Sequence, residues 1–161
     1  MTKHILQSLI VIAALCATTT ASAEACFEVD ARPTNHAANG PAIQFTLLNE
    51  CAYDVKLAPL FAPWGAYQSV DLDAVADEPP QLGLEKLAPL YHDFHESVSI
   101  SPGSRLSGLV PMTFWFPKFM EINQRSSITV HWSYSWPQTV GAGWTTGNVV
   151  FPRASNDEGS R

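Results

Sequence analysis

The stretch "ITVHWSYSW", residues 128–136, constrains the fold more than any other part of the chain. Ile128, Val130, Trp132, Tyr134 and Trp136 share one parity. Thr129, His131, Ser133 and Ser135 share the other. Successive side chains of a β-strand point to opposite faces, so this segment reads as a strand with one apolar and one small polar face. Five apolar positions in a row on one face demand a second layer to cover them. The rings nearest Val130 are therefore expected in a core, and Trp136, just before Pro137, is expected nearest its rim.

The rest of the chain carries the same signature in shorter pieces. "FEV" (27–29) reads as a first strand. "PTNHAANGP" (33–41) is turn chemistry centred on Asn39-Gly40. "AIQFTLLN" (42–49) sets Ile43, Phe45 and Leu47 on one face, and "YDVKL" (53–57) sets Tyr53, Val55 and Leu57 inward. Further strands are expected at 69–75, near Leu82–Leu84, at 97–100, at 104–110 after the Pro102-Gly103 turn, and at 147–151. Residues 111–124 read as irregular, with one helical turn in "PKFMEI". No segment keeps an amphipathic helical period over three turns. Seven to nine short strands with regular turn signals predict an all-β fold, a two-sheet antiparallel β-sandwich of immunoglobulin-like type.

The N-terminus reads as a secretory signal. Lys3 precedes the short apolar run "ILQSLIVIAALCA", and Ala21–Ala23 supplies a small-x-small cleavage pattern. The expected organisation is a signal peptide over 1–23, a β-sandwich domain over 24–152 and a polar, disordered tail over 153–161. That places the protein in the periplasm or outside the cell. No later run reaches the roughly 20 apolar residues of a membrane-spanning helix. Cleavage takes the formal net charge from −6 to −7 by removing Lys3. An acidic chain with scattered basic residues is not expected to bind nucleic acid, which needs clustered cations to displace counterions.

Cys16 leaves with the signal, and Cys26 and Cys51 remain. In an oxidising compartment such a pair is expected to form a disulfide, stabilising the fold by roughly 3 kcal/mol. The alternative, a free thiol nucleophile, lacks a nearby His in sequence. Pairing the two cysteines in strict register would put Glu28 and Asp30 on the core face. Either a bulge or cysteines just outside the ladder is therefore expected.

Three pieces occur together in a familiar order: "FTLLN", then the Pro-aromatic "LAPLFAPWG", then "SVSISPGSRLSGLV", closed by the V-x-W-x-Y of residues 130–134. Over residues 42–136 the chain resembles the small β-sandwich domain that precedes the catalytic domain in deuterolysin-type secreted metallopeptidases. It is also similar to other secreted immunoglobulin-like and proteinase-inhibitor modules. The resemblance implies fold and compartment, with no catalytic residue to carry over. The His-Glu-x-x-His zinc motif is absent, and "HDFHE" (92–96) has those letters in another order.

Chemistry-bearing candidates are few. His92 and His95, flanked by Asp93 and Glu96, have a spacing that suits Zn²⁺ or Cu²⁺ on a helix, with His36 or His131 as a third ligand. The competing reading is a solvated acidic loop. There is no Gly-x-Ser-x-Gly elbow, and Asp71 and Asp73 are expected to point outward from one strand. No catalytic machinery and no cofactor are expected. Phe61, Trp64 and Tyr67 stand among Pro59, Pro63 and Gly65, so they are expected on a loop, and "TFWFPKFM" (113–120) forms a second aromatic cluster. Such loops either cap the ends of a sandwich or present a partner-binding surface. The functional expectation is an exported, non-catalytic module that binds another extracytoplasmic protein, as a peptidase inhibitor or chaperone. The alternatives are a periplasmic metal-binding protein using His92 and His95, and a structural envelope-associated module.

Overall fold

A computed structural model describes residues 26–65, 69–78, 81–87, 96–136 and 143–154. Their eight strands are β1 (Phe27–His36), β2 (Gly40–Asn49), β3 (Val55–Leu57), β4 (Val70–Ala76), β5 (Val98–Ile100), β6 (Arg105–Pro111), β7 (Ile128–Trp136) and β8 (Gly143–Phe151). Two short helices, α1 (Met112–Trp115) and α2 (Phe119–Asn123), fall between β6 and β7. The strands form a sheet β1-β2-β6, a sheet β4-β7-β8 and a small pair β3-β5. Every pairing is antiparallel, so the fold is all-β and sandwich-like. No helix among the described residues is long and apolar enough to cross a membrane.

The register explains which side chains go in. β1 pairs with β2 as Phe27↔Asn49, Val29↔Leu47 and Ala31↔Phe45. Ile43, Phe45 and Leu47 are fully buried, while Glu28, Asp30 and Arg32 stay on the outer face. Strict pairing of the cysteines is not adopted. Cys26 stands opposite Glu50, whose N–H donates to the Cys26 carbonyl (2.9 Å). Cys51 closes the Cys26–Cys51 disulfide from one residue further on, with Cα atoms 4.9 Å apart. Both cysteines lie just beyond the ladder, so the bridge is made without shifting a charge into the core.

β7 fills the centre. All five residues of its apolar parity are at most 7% exposed. Trp136 is as deeply placed as Trp132 and not at a rim, because Phe27 meets it edge-on, ring centres 6.0 Å apart. Phe45 meets Trp132 in the same way at 5.4 Å. These two contacts join the β1-β2-β6 sheet to the β4-β7-β8 sheet. Each buried ring of this size contributes about 2–3 kcal/mol.

Several elements differ from the sequence expectation. β1 runs on to His36, because Pro33 lies on an edge strand where no ladder donor is required. The turn is confined to 37–39, with Asn39 N–H donating to the His36 carbonyl (3.1 Å) and Gly40 taking a positive φ of 65°. Tyr53 is 59% exposed rather than inward. It sits in the bend after the disulfide, before the ladder of β3 begins, and its hydroxyl donates to Cys26 Sγ (3.2 Å). The expected strand near Leu82–Leu84 is a single bridge, Gly83 to Val75. β8 starts four residues earlier than its apolar tail indicates.

Candidate functional site

Each region singled out from sequence has a place in this frame. The Pro-aromatic loop starts with a 3-10 turn, Pro59–Phe61. Phe61 and Trp64 are half-buried and pack on the core. The Trp64 ring lies over Gly108 of β6, where a Cβ would come within 2.1 Å of its Cδ2 atom. The Phe61 carbonyl accepts the Tyr134 hydroxyl (2.8 Å), and the Ala62 carbonyl accepts the Ser69 hydroxyl (3.0 Å). Burial raises the Tyr134 phenol above its usual range. The loop is thus tied down over one end of the core, with part of each ring still reaching solvent. Tyr67 lies outside the described residues.

The second aromatic cluster divides. Trp115, Phe116 and Phe119 are buried, while Phe114 and Met120 of α1 and α2 are exposed. Phe119 stacks edge-on against Phe151 of β8 at 5.0 Å. The helices plug a gap that the sheets leave, which is why this stretch lacks the strand alternation.

His92 and His95 lie outside the described residues. His36 ends β1 and His131 sits mid-strand on the outer face of β7, so the two belong to different sheets. Among the described residues, no three His, Cys, Asp or Glu side chains converge on a metal-sized site. The outer face of β4-β7-β8 holds a shallow depression lined by Asp71, Asp73, His131, Ser133, Thr146 and Asn148. Asp71 is engaged there by Lys86, whose ammonium also lies over the Trp115 ring.

The most exposed large apolar residue among the described residues was not among the candidates. Trp144, near the start of β8, is 74% exposed, and Val150 on the same face is 49% exposed. β8 is an edge strand. Its backbone orientation follows from the hydrogen bonds of β7. At either end of β7, odd-numbered residues bond toward β4: Ser135 N–H donates to the Ser69 carbonyl (2.8 Å), and Asp77 N–H donates to the Ser127 carbonyl (3.0 Å). Alternation then turns Val130, Trp132 and Tyr134 toward their β8 partners Val149, Gly147 and Thr145. The N–H and C=O groups of Trp144, Thr146, Asn148 and Val150 therefore point out from the sheet. Among the described residues no backbone group bonds to them.

The other edges of the two three-stranded sheets are guarded, and the edges of the β3-β5 pair are only three residues long. β1 carries Glu28, Asp30, Arg32 and Pro33; β6 carries Arg105 and ends at Pro111. β4 has Asp71 and Asp73 and is covered by the Leu82–Leu84 segment, with Leu84 N–H donating to the Ala74 carbonyl (2.8 Å). β8, "GWTTGNVVF", has no charge and no proline, and pairs with β7 one-to-one over its whole length without a bulge. An edge with none of these devices is a template for another strand. The sequence signal was available in the uncharged alternation of 143–151, but two glycines masked it. Both are needed for space: a Cβ at Gly143 or Gly147 would meet the Trp136 or Trp132 ring within 2.2 and 2.6 Å. No protein-family model and no curated protein matches the chain.

Proposed function

We propose that this chain is an exported, non-catalytic, immunoglobulin-like binding module that recognises another extracytoplasmic protein by strand addition at β8. The observation that carries the proposal is the unpaired, uncharged edge of β8, which β1 of the other sheet approaches without bonding to it, with its four outward backbone units and the exposed Trp144 beside them. In strand addition the main chain supplies affinity and alternate side chains supply specificity. Trp144 and Val150 would give an incoming extended segment two apolar contacts, with Thr146 and Asn148 between them as hydrogen-bonding groups.

The immunoglobulin-like reading is supported by strand order. First, second and sixth strands in one sheet, with fourth, seventh and eighth in the other, correspond to the A-B-E and C-F-G strands of that fold. Export is supported by the Cys26–Cys51 disulfide, which persists in oxidising compartments. The resemblance to modules of secreted peptidases points to an inhibitor or chaperone of an exported peptidase as the form this binding takes.

The test mixes the purified protein with a panel of exported peptidases and their unfolded precursors. Residual peptidase activity is read together with amide exchange in β8. The control is Thr146→Pro, which removes an outward N–H without breaking a β7–β8 bond, a position where an edge strand accepts proline. A true partner protects residues 144–150 in the native protein and not in T146P. No protection by any member of the panel, or equal binding by T146P, would overturn strand addition.

A further inference from the structure

The edge of β8 is complementary to itself, and we infer that a second copy of this chain occupies it in a two-fold antiparallel pairing centred on Gly147. Among the described residues, the outward units of Trp144, Thr146, Asn148 and Val150 are the ones β8 has left for ladder bonds, so in a self-pairing these must pair with one another. A two-fold axis at Gly147 sets Trp144 opposite Val150 of the second copy, and Thr146 opposite its Asn148. All four positions then fall on hydrogen-bonded pairs, as the antiparallel pattern requires. Moving the axis to residue 146 or 148 leaves one of the four facing a residue outside 144–150.

Side chains favour the same register. Trp144 and Val150 are the two exposed apolar residues of the strand, and in this pairing each covers the other across the dyad, twice over. Aromatic–β-branched pairs are among the favourable cross-strand combinations, and Thr opposite Asn allows a side-chain hydrogen bond. No like charges meet, because residues 143–151 carry none. Two three-stranded sheets join into one of six strands, β4-β7-β8 continuing into β8-β7-β4 of the second copy. Beyond assembly, the pairing has a regulatory consequence that rests on the strand-addition reading above. The dimer covers the edge a partner needs, so the partner-competent form is the monomer.

The experiment uses the full chain, expressed, exported and purified, and two single-cysteine variants, Thr146→Cys and Asn148→Cys. The native disulfide occupies Cys26 and Cys51, and both variants also carry Cys16→Ser, leaving one free thiol in each. In the inferred register the two positions are directly opposed, at about 5.5 Å between Cα atoms, within disulfide range. Identical positions are diagonal, at about 7–8 Å, and outside it. Mixing T146C with N148C under mild oxidation is expected to give a covalent heterodimer several-fold in excess of the homodimer from either variant alone. Sedimentation of the unmodified protein is expected to show a concentration-dependent dimer, lost in Val150→Lys while circular dichroism is unchanged. Sedimentation as a monomer throughout the micromolar range, or cross-linking as strong in T146C alone as in the mixture, overturns the self-pairing. A monomer whose β8 is nevertheless protected by an exported protein would overturn the self-pairing and leave strand addition intact. A register-specific dimer that no exported protein dissociates would support the self-pairing and count against partner binding.

Discussion

Replacing Asn49 is expected to damage this fold more than replacing any other polar residue. Asn49 ends β2 and is fully buried. Its side-chain amide donates to the Tyr53 carbonyl (2.9 Å) and the Ile100 carbonyl (2.8 Å), and its oxygen accepts the Cys51 N–H (2.9 Å). Its own backbone bonds to Gly103 and Ser104 on the other side. One side chain thus ties together the end of β2, the bend after the disulfide, and β5. Asn49→Ala removes three hydrogen bonds at about 1 kcal/mol each and strands their partners in or near the core, for a loss of about 3–5 kcal/mol. That is a large share of the roughly 5–15 kcal/mol a domain has. At about 3 °C per kcal/mol for a domain of this size, Tm falls by about 10 °C or more.

Asn49→Asp sharpens the test. A carboxylate keeps an acceptor for Cys51 N–H but turns negative oxygens on two carbonyls, so at neutral pH N49D should be less stable than N49A. Burial and those carbonyls raise the pKa of the introduced carboxyl in the folded state. The folded protein then binds the proton more tightly, so stability relative to N49A recovers as pH falls through the raised folded value and levels off near the unfolded value of about 4. Urea unfolding at several pH values, with the disulfide intact, measures both effects. A loss under about 1 kcal/mol for N49A, or N49D as stable as the native protein at pH 7, would refute the role assigned to this residue.

Two further outcomes follow from the same packing. Folded Tyr134 holds its proton above the ordinary tyrosine range because its phenol is buried. Its contribution to stability is therefore full below about pH 10, and declines as pH rises from there toward the folded value. In Tyr134→Phe the alkaline decline should be smaller and the neutral-pH stability lower by about 1 kcal/mol for the lost bond to Phe61, both read by denaturant titration across pH. Gly108→Ala places a methyl against the Trp64 ring, so it should cost about 1–3 kcal/mol and shift tryptophan emission to the red as that ring leaves its seat. The emission shift should be absent in a Trp64→Phe background.

The legible parts of the sequence are those where alternation is undisturbed. β2 and β7 could be read because Ile43, Phe45 and Leu47, and the five apolar residues from Ile128 to Trp136, bury every second position without interruption. Tyr53 misled because the same alternation continued past a bend set by the disulfide. The first half of β8 was hidden by Gly143 and Gly147, which weaken a strand pattern locally yet are required by indoles from the neighbouring strand. Of the two helices, α2 falls on the helical turn expected in "PKFMEI", whereas α1 was hidden because Trp115 and Phe116 fill a gap whose shape depends on distant strands. For the site, aromatic letters near prolines drew attention to Phe61 and Trp64, both of which the fold draws half into itself. Trp144 is written with the same letter as Trp132 and Trp136. Only the sheet order shows that it stands outside, on an edge.

The measurement closest to the centre of the account is residue-resolved amide exchange along β8 in dilute protein, where self-pairing is dissociated. Slow exchange at Thr145, Gly147 and Val149, alternating with fast exchange at Trp144, Thr146, Asn148 and Val150, is the predicted pattern. Uniform protection across 144–150 would mean that the chain covers its own edge, and would contradict the account.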